Sequence, residues 1–171
     1  MSETSGDVGS RTRQMAELLR VIVELPKPVI ARIDGHVRAG GMGLVGACDI
    51  AVAGPPQHVR AHRGPARPRR LDHLVDRAAP DGSRAASRYF LTGEKFGAHE
   101  AEAIGLISES AQDPEDTVEE LLDQLRQASP QGLAESKTLT TRDVLADFDR
   151  YTDELTAQSR GCSNPRRRGK A

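Results

Sequence analysis

Five glycines crowd one short stretch of this chain, Gly35, Gly40, Gly41, Gly43 and Gly46, in DGHVRAGGMGLVGAC. An apolar run, VIARIDG, leads into them, and a helix-forming run, MGLVGAC, leads out. Glycine has no side chain to shield its amide, and the first amides of a helix find no carbonyl within it. A strand ending at Gly35, followed by Gly40-Gly41 at a helix start, therefore sets bare N–H groups at the positive end of a helix. Such donors can hold negative charge developing on an oxygen. The same spacing serves as a tight strand-to-helix connection with packing glycines, and spacing does not separate the two.

The elements that must position this turn are legible around it. Met15, Leu18, Leu19 and Ile22 recur at i, i+3, i+4, i+7 and predict one buried helix face, stopped by Pro26 and Pro28. VIARIDG has the β-branched density of a buried strand, and DIAVAG reads as the next one, closed by Pro55-Pro56. Residues 14–54 thus read as a coherent α/β unit. RAASRYFLTG and AHEAEAIGL predict two short helices, broken by Gly93 and Gly97 and ended by Gly105. In DPEDTVEELLDQLRQAS, Asp113 is the expected N-cap and Pro114 the first helical residue. Val118, Leu121, Leu122 and Leu125 form its expected buried stripe. SPQGLAESKTLT begins another helix, and RDVLADFDRYTDELTAQS supplies the last, with Val144, Leu145, Phe148 and Tyr151 on one side. Residues 1–13 are small and polar and predict a disordered start. Residues 159–171 are basic and unpatterned and predict a disordered tail.

Composition sets limits. The chain has 171 residues, enough for one domain, but is only 37% hydrophobic and 3% aromatic. With a mean hydropathy of -0.53, its core is thin for its length. A net charge of -1 speaks against a nucleic-acid binder on overall balance. Cys48 and Cys162 make no disulfide framework, and no signal segment or membrane-length apolar run is visible. A soluble, cytoplasmic protein without a membrane partner is expected.

KPVIARIDGHVRAGGMGLVGACDIAVAG resembles the enoyl-CoA hydratase/isomerase family, the crotonase superfamily, in its lysine-proline, strand, glycine turn, helix and Cys48-Asp49-Ile50. YFLTGEKFGAHEAEAIGLISE resembles the family's later stretch through Leu91-Thr92-Gly93, Ala98, Glu100-Ala101 and Gly105-Leu106. SPQGLAESKTL resembles its following helix through Ser129-Pro130 and Lys137. The likeness covers 14–56 and 84–158. It implies an α/β fold of stacked ββα units with a helical C-terminal region that builds trimers. It also implies acyl-CoA thioesters as substrates, with no separate cofactor and no metal. An oxyanion hole of two backbone amides is implied too, one of them at Gly40 with Gly41 beside it on the substrate. The second donor belongs to an N-terminal portion of the family that this chain does not match. Hydratases of the family add two glutamates as general acid and base. Their positions fall on Gly43, which has no side chain, and Arg63, which stays protonated and accepts no proton. An intact relative of this kind would be an isomerase-like member as readily as a hydratase.

Arg63 lies in HVRAHRGPARPRRLDHLVDRAAPDG, within a basic, proline-rich segment at 57–83 unlike anything around it. As a nucleic-acid patch it lacks aromatics to stack on bases. As a metal site, His58, His62 and His73 with Cys48 have no recognised ligand spacing. Its composition suits a disordered linker, although the resemblance implies buried structure there. A fourth origin is translation out of frame. With permitted codons, a one-base shift of this DNA can encode STFALTEARLGLAASIISLT, a family-like sequence with a glutamate across the Arg63 codon. A two-base shift of the tail can encode ARLFESAEAREG. Both segments, 57–83 and 159–171, are therefore expected to be out of frame, and the chain a catalytically inactive fragment. Its alternative role is as an interaction subunit docking on intact family members, with a nucleic-acid binder as a weaker rival.

Overall fold

The structure, a computed structural model, describes residues 5–38, 40–55, 58–60, 84, 88–89 and 91–162. Helix α1 (Ser5–Glu24) comes first. It begins within the polar stretch 1–13, of which residues 1–4 lie outside the described residues. Ala16, Leu19 and Val23 are buried, and once such a face has docked, each further residue adds a hydrogen bond to an existing nucleus. Leu18, expected in the buried stripe, is 48% exposed. Met15 and Ile22 lie at the margin of the packed face.

Two small sheets hold the glycine turn between them. Strands β1 (Ile30–Ile33) and β3 (Ile50–Ala53) pair in parallel, Ile30 opposite Ile50 and Ile33 opposite Ala53. The short β6 (Glu109–Ser110) flanks β3 on its other side. The second sheet has the order β2-β4-β5, from β2 (Val37–Arg38), β4 (His58–Arg60) and β5 (Lys95–Gly97). Periodicity did not show β2 or β5, because strands this short contain almost no alternation to read. Strand β4 lies within the segment 57–83, of which only residues 58–60 are among the described residues. Val59 is paired on both sides, with Val37 and with Phe96, which suits a β-branched residue. Residues 61–83, Arg63 among them, lie outside the described residues.

Helix α2 (Gly40–Ala47) joins the two sheets, and α3 (Ala98–Ala103) follows β5. Gly105 closes α3 at φ 73°, a left-handed cap that favours glycine, and the Leu106 amide returns to the Ala101 carbonyl at 2.8 Å. One core gathers Ile33, Val37, Met42, Val45, Tyr89 and Phe96, among others, from both sheets and from α2. A second joins Leu19 and Val23 of α1 to Ala47, Val144 and Phe148.

Helix α4 (Pro114–Arg126) begins as expected, with Asp113 Oδ1 accepting from the amides of Glu115 and Asp116 at 3.0 and 3.3 Å. Its stripe of Val118, Leu121, Leu122 and Leu125 is only half-buried. The strands it meets, β1 and β3, have 4 residues each and cannot cover a helix of 13. Where β3 ends, a Cβ on Gly54 would stand 2.7 Å from Pro114 Cγ, so only glycine lets the helix start this close. The C-terminal region is one helix, α5 (Pro130–Cys162), of 33 residues. The sequence predicted two helices here and a disordered tail from 159. No proline or glycine interrupts 133–160. Thr138 and Thr141 also turn their hydroxyls back onto the carbonyls of Ala134 and Lys137.

Candidate functional site

Gly40 and Gly41 are the first two residues of α2, so the structure sets both expected site residues at the helix N-terminus. The leading amides of a helix have no carbonyl partner inside it, and the helix dipole makes that end positive. Neighbouring elements wall the opening. A Cβ at Gly40 would meet Met15 Cε of α1 at 3.5 Å, and one at Gly41 would meet Val37 Cγ1 of β2 at 3.5 Å. These are ordinary contacts, so apolar side chains flank the turn without crushing it. The arrangement can donate hydrogen bonds to one developing oxyanion.

Gly43 answers a different question. Its missing Cβ points at Leu19, with Cδ1 at 3.2 Å, and Leu19 is 1% exposed. The glutamate that the resemblance implies here is therefore absent, and Leu19 closes on the space where its side chain would begin. Arg63, the other expected carboxylate position, is outside the described residues.

The far end of α2 is tied down by residues whose pairing the sequence did not show. Lys137 Nζ lies 2.7 Å from Asp49 Oδ2, with the two side chains 4% and 15% exposed. The same ammonium donates to the carbonyls of Ile22 and Lys27 at 3.0 and 2.9 Å. Asp49 Oδ2 also accepts from the Val29 amide at 2.8 Å. One buried ion pair thus joins the end of α1, the proline link, the α2–β3 corner and α5. Lys137 and Asp49 were both visible in the family-like stretches, but only the fold brings them together across the chain.

Other reactive groups near the turn are quiet. Burial, then the Asp49 carboxylate, pushes the Cys48 thiol up, with Lys137 acting the other way, so it is a poor nucleophile at neutral pH. Tyr89 is raised by burial and by its hydrogen bond to Glu100, where its hydroxyl donates at 2.7 Å. Among the described residues, no three or more His, Cys, Asp or Glu side chains are grouped to hold a metal ion. His62 and His73, weighed as ligands with His58 and Cys48, lie outside them. No described helix is long and apolar enough to cross a membrane.

The chain is similar to known proteins. The family described as enoyl-CoA hydratase/isomerase matches residues 2–161, on both sides of the basic segment. The crystal structure of an enoyl-CoA hydratase from Mycobacterium avium is 46% identical and superposes with a TM-score of 0.84. The match covers 92% of this chain and 63% of that one. The mitochondrial methylglutaconyl-CoA hydratase of Homo sapiens is 30% identical over 139 residues, 75% of this chain and 39% of that protein. The "Probable enoyl-CoA hydratase EchA12" of Mycobacterium tuberculosis is 37% identical over 111 residues, 63% of this chain and 36% of its own. The chain spans well under half the length of these curated relatives.

Proposed function

Because the chain belongs to the enoyl-CoA hydratase/isomerase family and has its crotonase fold, we propose that its Gly40 turn receives the thioester oxygen of an acyl-CoA. Coenzyme A would enter as part of the substrate, with no separate cofactor or metal. The observation that carries this reading is the placement of Gly40-Gly41 as the opening residues of α2. As enolate character develops on the thioester, charge on oxygen grows and the Gly40 N–H bond to it strengthens.

Water addition is a separate matter. It needs groups that move protons, and the two positions that would supply them are Gly43 and Arg63. A guanidinium stays charged and takes no proton. The chain as written therefore binds acyl-CoA and does not hydrate it. We read segments 57–83 and 159–171 as out of frame, so that an in-frame relative would regain a glutamate at position 63.

The test pairs binding with turnover. Equilibrium dialysis against a labelled acyl-CoA should show binding, and loss of enoyl absorbance from a 2-enoyl-CoA should run at the buffer rate. Gly40→Pro removes the donor while proline remains acceptable in the first helical turn, and it should weaken binding. Hydration at the rate of a complete family member, or unchanged binding by G40P, would defeat the proposal.

A second reading has its own observation. Leu18 and Val21 of α1 and Leu25 just past its end are 48, 54 and 41% exposed, an apolar row without cover among the described residues. It suits an interaction subunit that docks on intact family members in a mixed trimer. Co-purification with such a member supports this role, and a chain that stays alone beside it speaks against it.

A further inference from the structure

Helix α2 cannot hold its own direction. Four of its 8 residues are glycine, the weakest helix former after proline. A helix shorter than about 12 residues does not persist unaided in water, so its direction comes from what it touches.

At its N-terminal end those contacts are soft. The Cβ positions of Gly40 and Gly41 meet Met15 Cε and Val37 Cγ1, each at 3.5 Å. Both are van der Waals contacts without direction, and a methionine side chain yields readily.

At the C-terminal end they are directional. The Cys48 amide closes the helix on the Leu44 and Val45 carbonyls, both at 3.2 Å. One residue on, Asp49 and Val29 exchange two hydrogen bonds. The Asp49 amide donates to the Val29 carbonyl at 2.9 Å, and the Val29 amide donates to Asp49 Oδ2 at 2.8 Å. The first rung of the β1/β3 ladder, Ile30 opposite Ile50, follows directly. Lys137 Nζ holds the same Oδ2 at 2.7 Å and also reaches the carbonyls of Ile22 and Lys27. Three acceptors match the three N–H groups of an ammonium, so its place is fixed. A carboxylate just past a helix C-terminus faces the negative end of the dipole, and Lys137 supplies the charge that offsets it.

The length of α2 turns this base into a lever. Eight residues span ~12 Å, so a tilt of about 5° at the base carries Gly40 by about 1 Å. That is enough to take a hydrogen bond of ~2.9 Å out of range.

We propose that Lys137 and Asp49 are a positioning pair for the glycine turn: they fix the direction of α2 from its far end, and that direction sets where the Gly40 amide points. Both act through α2 and not on a ligand. The consequence for acyl-CoA rests on the acyl-CoA reading of the turn, while the coupling between the two ends of α2 does not.

A proton–nitrogen correlation spectrum of the full chain tests the coupling, because the Gly40 and Gly41 amides report the turn without any ligand. Lys137→Met with Asp49→Leu should move both signals, although the substitutions lie at the other end of the helix. Lys137→Met with Asp49→Asn retains an acceptor for the Val29 amide and should move them too, which covers a leucine variant that does not fold. Asp113→Ala, which weakens the start of α4, should leave both signals in place, so a loss of stability by itself is separated from positioning. Unmoved Gly40 and Gly41 signals in a folded double variant would overturn the proposal.

A thioester isotope-labelled at its carbonyl carbon extends the test to the ligand. Bound to the parent, it should show a carbonyl stretch lowered by the Gly40 hydrogen bond. The folded double variant should show a smaller lowering and about three- to tenfold weaker binding. Moved amide signals without acyl-CoA binding by the parent would defeat the acyl-CoA reading alone. Moved signals with the carbonyl stretch and affinity both unchanged would overturn the positioning role.

Discussion

Lys137 is the residue on which most of the fold converges. Its ammonium is buried among the Asp49 carboxylate and two carbonyls, and every one of those acceptors comes from a different part of the chain. Burying a charge without a partner is expensive, whereas a buried pair is close to neutral against a well-packed apolar replacement. Lys137→Met alone should therefore destabilise the chain by about 3–5 kcal/mol, read from urea denaturation. Lys137→Met with Asp49→Leu should recover most of that loss. If the double variant were no more stable than the single one, the ion pair would not be the source of the effect. Gly43 matters at the same scale for the opposite reason, because Leu19 closes on the space a side chain would need.

At the scale of elements, local rules and packing part company. The start of α4 follows from local chemistry: Asp113 caps two amides and Pro114 takes the first helical position. Asp113→Ala should lower stability by about 1 kcal/mol, measured by thermal denaturation, and a loss below a few tenths would show that the cap is not holding α4. The half-burial of that helix is not local, since it reflects how little strand lies beneath it. Helix α5 shows the reverse case, in which one uninterrupted element replaces two expected ones because nothing in 133–160 breaks it. Against it packs α1.

At the scale of the whole molecule, the basic segment sets what the chain can do. A chain with only 37% hydrophobic residues has little core to spare, and arginines are costly to bury without partners. Residues 58–60 enter the second sheet, between β2 and β5. Resequencing the gene from upstream of the start codon through the stop should place STFALTEARLG and ARLFES in one continuous frame. Bases that encode 57–83 and 159–171 as written would overturn the frame-shift proposal and leave the basic segment as genuine protein.

By itself the sequence determined the strand, turn, helix and strand around Gly40, the cap of α4, and the family. These depend on neighbours in the chain: glycine and proline punctuation, β-branched runs and a capping carboxylate act over a few residues. Position 43 also showed its missing carboxylate directly. Only the tertiary structure decided that Lys137 meets Asp49 and that Leu19 faces Gly43. It also decided that β2 and β5 exist, since two- or three-residue strands carry no readable period and form only when a partner supplies the hydrogen bonds. Contacts between distant residues depend on register and packing, and a single sequence holds no local signal for either.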